Sequence, residues 1–140
     1  MRGWSRSPKD GLPPGVRAFH GNTERAAFLA GCDSLVCLLP LTEGTRGILD
    51  AELFAQLPRG ARLVNAGRGA HLVQDDLLTA LESGQIASAV LDAFAEEPLP
   101  AAHPFWHHPC ITVTPHIAAR TAPEAIAKLT YENLTRICVA

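Results

Sequence analysis

Three polar residues of complementary chemistry each follow a short apolar run: Arg68, Glu97 and His116. An imidazole gives or takes a proton near neutral pH with little tuning. A guanidinium holds a planar carboxylate through two hydrogen bonds. A carboxylate paired with a histidine favours its protonated form. Together they would make a carboxylate clamp beside a proton donor. Any one of them alone reads as well as a satisfied turn residue; the combination points to a site.

The surrounding elements must bring the three together. Short apolar runs alternate with helical patterns along the whole chain. Strands are expected at Met1–Ser5, Val16–His20, Ser34–Leu39, Ala61–Asn65, Ile86–Leu91 and Cys110–Val113. Ser34–Leu39 reads as a strand buried on both faces. Asn22 or Thr23 is expected to cap a helix running to Ala30, with Gly31 ending it. Asp50 caps a short helix, Ala51–Gln56, and Asp75 and Asp76 open another that ends at Gly84, as helix-start charges and nothing more. Thr121-Ala122-Pro123-Glu124 is a capping box that launches a last helix to about Cys138. Strand–helix alternation of this kind predicts an α/β fold: a parallel sheet with helices on both faces. Ligands then gather at the carboxyl ends of the strands. Arg68, Glu97 and His116 all fall there.

Composition excludes several classes. The 140 residues suit one domain with a genuine core. A net charge of −2 does not suit a nucleic-acid binder. The Leu35–Leu41 apolar run is too short for a transmembrane helix, and no signal peptide is visible, so a cytoplasmic protein is expected. Cys32, Cys37, Cys110 and Cys138 are scattered; Cys37 and Cys110 are read as reduced core residues. His103, His107 and His108 cluster in a Pro-rich loop but lack matching ligands, so no metal site is expected. Trp106 in the same loop is expected to anchor it on the core.

Four segments carry a family resemblance: CLLPLTEGTRGIL from Cys37, LVNAGRGAHLVQDDLLTALESGQI from Leu63, AVLDAFAEEPLPAAHPFWHHP from Ala89 and ITVTPHIAA from Ile111. Together they make the chain resemble the D-isomer-specific 2-hydroxyacid dehydrogenase family over nearly its whole length, in the branch of bacterial A-type glyoxylate/hydroxypyruvate reductases. The resemblance implies hydride transfer from NAD(P)H to a small 2-keto acid such as glyoxylate or hydroxypyruvate. It also implies a Rossmann-type fold and a homodimer in the full-length enzyme. Carried over by motif, Arg68 resembles the substrate-carboxylate residue and His116 the general acid. Glu97, rather than its neighbour Glu96, resembles the acid that keeps His116 protonated, and Asp92 the residue that binds the nicotinamide carboxamide. Leu39, Pro40, Ala66 and Gly67 match positions lining the cofactor; Pro40 reads equally as a strand terminator, and Thr45 as a minor contributor to that loop.

Ser5-Arg6-Ser7 falls where the family reads the adenosine ribose. An acid there would bond the 2′-hydroxyl of NAD. Arg6, flanked by hydroxyls, predicts NADP in preference to NAD.

The chain departs from the family in containing no G-x-G-x-x-G, the turn that cradles a pyrophosphate. It is therefore expected to be a fragment lacking the first βα unit and the substrate domain. Residues 1–120 would form a partial NAD(P)-binding domain, and 121–140 a helix leading away from it. Such a fragment is expected to be inactive alone. The competing expectation is a remnant that binds nucleotide without turnover, or self-associates through an exposed strand edge.

Overall fold

The computed structural model describes residues 1–119 and 127. Among the described residues, six strands and three helices follow one another as β1 (Arg2–Ser5), β2 (Arg17–His20), α1 (Gly21–Leu29), β3 (Ser34–Cys37), α2 (Ala51–Ala55), β4 (Ala61–Asn65), α3 (Gln74–Glu82), β5 (Ile86–Leu91) and β6 (Ile111–Val113). Every strand pair is parallel, as the alternation requires. The expected helix from Thr121 lies outside the described residues, as does Cys138.

The strands form two sheets, β1-β2 and β3-β4-β5-β6. Among the described residues no strand lies between β1 and β3. A groove of about 830 Å³ runs there, lined by Arg2, Trp4, Phe28, Leu35, Leu39 and Leu53 among others. In an open doubly wound sheet with strand order 3-2-1-4-5-6, the position between these two strands belongs to the first strand. The split therefore agrees with a Rossmann-type sheet in which that strand is not among the described elements.

One face of the four-stranded sheet carries the core. Leu35 and Cys37, Leu63, and Ile86, Ala89 and Leu91 pack with Leu53 and Phe54 of α2 and Leu77, Ala80 and Leu81 of α3. The opposite face is open at β3: Val36 is 53% and Leu38 71% exposed. The expectation that Ser34–Leu39 is buried on both faces is thus corrected. The run is uniformly apolar, but its burial alternates with the two-residue period of a strand.

Local expectations fare unevenly. Asp50 caps α2, accepting the Leu53 N–H at 2.8 Å. Neither Asn22 nor Thr23 caps α1, which begins a residue earlier, at Gly21. Instead the Glu24 carboxylate reaches back to the His20 N–H, 2.7 Å away. Asp76 is more than a helix-start charge, because it accepts the Ala51 N–H of α2 at 2.9 Å. Cys110 is exposed rather than in the core, since it precedes β6. Phe105, 1% exposed, anchors the Pro-rich loop in place of Trp106, which is 47% exposed.

Candidate active site

Strand register aligns the site. Cys37 pairs with Asn65, Asn65 with Leu91, and Leu91 with Val113. One row of hydrogen-bonded residues therefore ends all four strands at the same height. The loops that follow carry Leu39 and Pro40, Ala66 to Arg68, Asp92, and Thr114 to His116. Ser5 and His20 end the two-stranded sheet in the same way.

The Pro40 loop is tied by Thr45, whose hydroxyl donates to the Pro40 carbonyl at 2.8 Å and accepts the Thr42 N–H at 2.8 Å. Pro40 thus sits in an organised turn, and Thr45 has a larger part in it than expected. Leu39 is half-buried against the core and Pro40 exposed.

His116 Nδ1 lies 2.9 Å from Glu97 Oε2. His116 has a φ of 54°, in the left-handed region that side chains other than glycine rarely adopt. Asp92 holds that turn. Its Oδ1 accepts the Thr114 hydroxyl at 2.6 Å and the Ile117 N–H at 2.9 Å, and its Oδ2 accepts the Ala118 N–H at 2.9 Å. These bonds bracket His116 on both sides. Burial alone would push the Asp92 carboxyl up. The Thr114 hydroxyl, the Ala118 and Ile117 N–H groups and the His116 charge outweigh it and hold the group below the usual carboxylate range.

Glu97 is fixed from both sides. Its Oε1 accepts the Phe94 N–H at 2.9 Å, and its Oε2 faces His116. The Phe94 N–H, the His116 hydrogen bond and the nearby His116 and Arg68 charges hold its carboxyl below the ordinary range, against a smaller opposing effect of burial. Glu96 makes none of these contacts. The Arg68 charge thus reaches the acid that His116 touches, while the Arg68 guanidinium donates to the Gly67 carbonyl at 2.9 Å.

Glycine lets the two loops approach. A Cβ on Gly69 would fall 1.8 Å from the Phe94 carbonyl carbon and 2.2 Å from the Ala95 nitrogen. Backbone thus meets backbone where the loop after β4 crosses the loop after β5. This crossing places the residue after Arg68 against the loop that leads to Glu97.

Asn65, Gly69 and His71 lie in a segment that carries the resemblance, but the sequence assigns them no role. Asn65 and His71 are both fully buried. Asn65 was legible in principle, because Ala61, Leu63 and Asn65 share the buried parity of β4. A polar residue at that parity signals a hydrogen-bonding duty.

At the other sheet, the Ser5 hydroxyl donates to the Ser7 carbonyl at 2.7 Å, and Arg6 is exposed. The Trp4 indole N–H bonds the Gly21 carbonyl at 2.9 Å, tying this turn to the end of β2. Two of the clustered histidines make local contacts: His103 Nε2 meets Gln74 Oε1 at 3.1 Å, and His108 Nδ1 accepts the Cys110 N–H at 3.2 Å. Among the described residues no helix is long and apolar enough to cross a membrane.

Comparison with known proteins places this arrangement. A family model described as D-isomer specific 2-hydroxyacid dehydrogenase, NAD binding domain, matches residues 2–118. Glyoxylate/hydroxypyruvate reductase A of Serratia proteamaculans is 60% identical over 125 residues, which are 89% of this chain and 39% of that protein. The solved D-isomer specific 2-hydroxyacid dehydrogenase of Xanthobacter autotrophicus Py2, in complex with NADPH and MES, superposes with a TM-score of 0.87 at 46% identity, covering 99% of this chain and 56% of that one. The NADPH-dependent glyoxylate/hydroxypyruvate reductase of Sinorhizobium meliloti, in complex with NADP and sulfate, gives 0.85 at 40% identity, covering 97% and 44%. The chain thus spans about two fifths of the length of the curated relative it matches.

Proposed function

The chain belongs to the D-isomer specific 2-hydroxyacid dehydrogenases through their NAD-binding domain, and we propose that it carries the proton-transfer and carboxylate-binding groups for reducing a small 2-keto acid such as glyoxylate or hydroxypyruvate. The observation that carries this reading is the His116–Glu97 contact at 2.9 Å, with Arg68 following a strand that ends at the same height.

Arg68 binds the substrate carboxylate as a two-pronged donor and draws electron density from the adjacent keto oxygen. An ionised Glu97 only accepts hydrogen bonds, so His116 Nδ1 carries the proton between them. Nε2 is then the nitrogen that delivers a proton to the keto oxygen as its charge develops. Glu97 balances the imidazolium and fixes the plane of the ring. Asp92 sets the backbone that aims it, and keeps acceptor capacity for a carboxamide donor.

The donor set fits a 2′-phosphorylated nicotinamide dinucleotide. Arg6 offers an exposed guanidinium flanked by Ser5 and Ser7, and residues 5–9 hold no acid. Leu39, Pro40, Ala66, Gly67 and Asp92 would line the remainder along the strand ends. When bound, NADPH supplies the hydride. The NADP and NADPH complexes of the Sinorhizobium and Xanthobacter proteins support this preference. In the full-length context, a cytoplasmic homodimer is the expected form.

The groove between β1 and β3 favours a second reading. Two strand edges face it, so the 140-residue chain alone would bind nucleotide without turnover, or pair with its own copies there.

Nucleotide titration and NADPH oxidation with glyoxylate or hydroxypyruvate decide between them. Oxidation that is abolished in His116→Gln establishes the reductase reading. Binding without oxidation, or concentration-dependent association, supports the second. Neither binding nor oxidation would overturn both.

A further inference from the structure

Arg68 is held by its backbone, and the groups that hold it are unusual. Its N–H donates to His71 Nδ1 at 3.0 Å. Its carbonyl accepts from Asn65 Nδ2 at 3.1 Å and from the His71 N–H at 3.1 Å. Asn65 Oδ1 accepts the Gly67 N–H at 3.2 Å. Two fully buried polar side chains therefore grip the peptide of an exposed arginine from opposite sides.

His71 carries a cost that packing alone does not explain. A ring nitrogen that accepts has no proton, so a neutral His71 bears its proton on Nε2. That nitrogen is buried and has no hydrogen-bond partner among the described residues. A leucine would fill the same space with no unpaired donor, and would be the better residue if volume were all that mattered. What leucine lacks is an acceptor for the Arg68 N–H. The ring also lies against Gly67, where a Cβ would fall 2.9 Å from Nδ1. The Gly67-Arg68 backbone is thus moulded on the imidazole.

We propose that His71 and Asn65 are positioning residues for Arg68, His71 acting as a buried neutral acceptor that fixes the arginine's backbone and hence the reach of its guanidinium toward a substrate carboxylate. The inference rests on the substrate-binding role of Arg68 proposed above. It assigns to the two residues an effect on substrate affinity rather than on cofactor binding or proton transfer.

Two substitutions separate acceptor from filler. His71→Leu keeps apolar volume and removes the acceptor; His71→Asn places an amide oxygen close to where Nδ1 stood. Steady-state NADPH oxidation in the full-length context should show KM for glyoxylate raised on the order of tenfold to a hundredfold in His71→Leu, the scale of a misplaced binding group. Its kcat and its NADPH affinity should stay near wild type, and His71→Asn should recover most of the loss. Equal KM values in the two variants would overturn the proposal.

Magnetic resonance on the ¹⁵N-histidine-labelled chain tests the clamp without turnover. The expected result is a His71 protonated at Nε2 and bare at Nδ1, with an Arg68 amide that exchanges slowly in wild type and His71→Asn but quickly in His71→Leu. A proton on Nδ1, or an Arg68 amide equally fast in all three, would refute the assignment. If the wild-type chain neither binds nucleotide nor oxidises NADPH while the clamp signals stand, the proposed function falls and the clamp remains.

Discussion

His116 and Glu97, 19 residues apart in the chain, meet at 2.9 Å between Nδ1 and Oε2 while His116 keeps a left-handed backbone. Asp92 is the acid that makes this backbone affordable, through the N–H groups of the two residues that follow His116. One carboxylate orients the ring and another shapes its turn.

His116→Gln should lower kcat by roughly 10²- to 10⁴-fold, the usual contribution of a positioned general acid. Because Gln cannot deliver the proton but disturbs little else, KM for the keto acid should move far less. Arg68→Gln should do the reverse first, raising KM through loss of the two-pronged carboxylate contact. Steady-state NADPH oxidation across a glyoxylate series reads both. A shared pattern in the two variants would contradict the division of labour.

Arg6→Ala should weaken NADPH binding and leave NADH binding nearly unchanged. Loss of one charge-assisted contact is worth about 1.5–3 kcal/mol, roughly 10- to 150-fold in Kd. Parallel fluorescence titrations with the two nucleotides provide the comparison. Equal losses for both would mean that Arg6 does not read the 2′-phosphate.

Gly69→Ala should destabilise the chain by about 1–3 kcal/mol or more, because its methyl group meets backbone that has no rotamer to yield. Arg68 should shift with the loop, so substrate affinity falls as well. Urea midpoints for the variant, set beside those of Gly44→Ala, where a Cβ meets open space, isolate the contact from the general effect of removing a glycine.

Stability should fall as acid is added. The Asp92 carboxyl is held below its ordinary value of 3.8 in the folded state. A depressed pKa contributes stability that is fully present above the unfolded value and is lost as pH drops through the folded one. The loss therefore belongs below about pH 4. Asp92→Asn should flatten that limb of the stability profile, and at neutral pH should cost about 1–3 kcal/mol through unmatched buried donors. Denaturant midpoints between pH 2.5 and pH 7, values bracketing that window, show whether the two curves converge in acid.

Much of this was visible in the residues. Apolar runs located all six strands to within a residue or two, and their alternation with helical stretches implied the parallel sheet. The resemblance favours Glu97 over Glu96, and it is Glu97 that faces His116. Burial was harder to read. A continuous apolar run does not say which face is covered, so Val36 and Leu38 look no different from Leu35 and Cys37. Side chains that bond backbone across the fold were equally hidden. Asp76 resembles any acid in a first helical turn until Ala51 comes beside it, and His71 resembles any loop histidine until its ring is found under Arg68.

The division between β1-β2 and the remaining sheet bears on how the chain opens. No hydrogen-bonded ladder joins the two halves among the described residues. Amides of β1, β2 and α1 should therefore exchange through a lower-energy opening than those of β4 and β5, as a separate cooperative unit. Arg6 sits on the weaker unit and Asp92 on the stronger one. A dinucleotide held by both would act as a staple, and protection gained across β1 and β2 would report its arrival before any chemistry occurs.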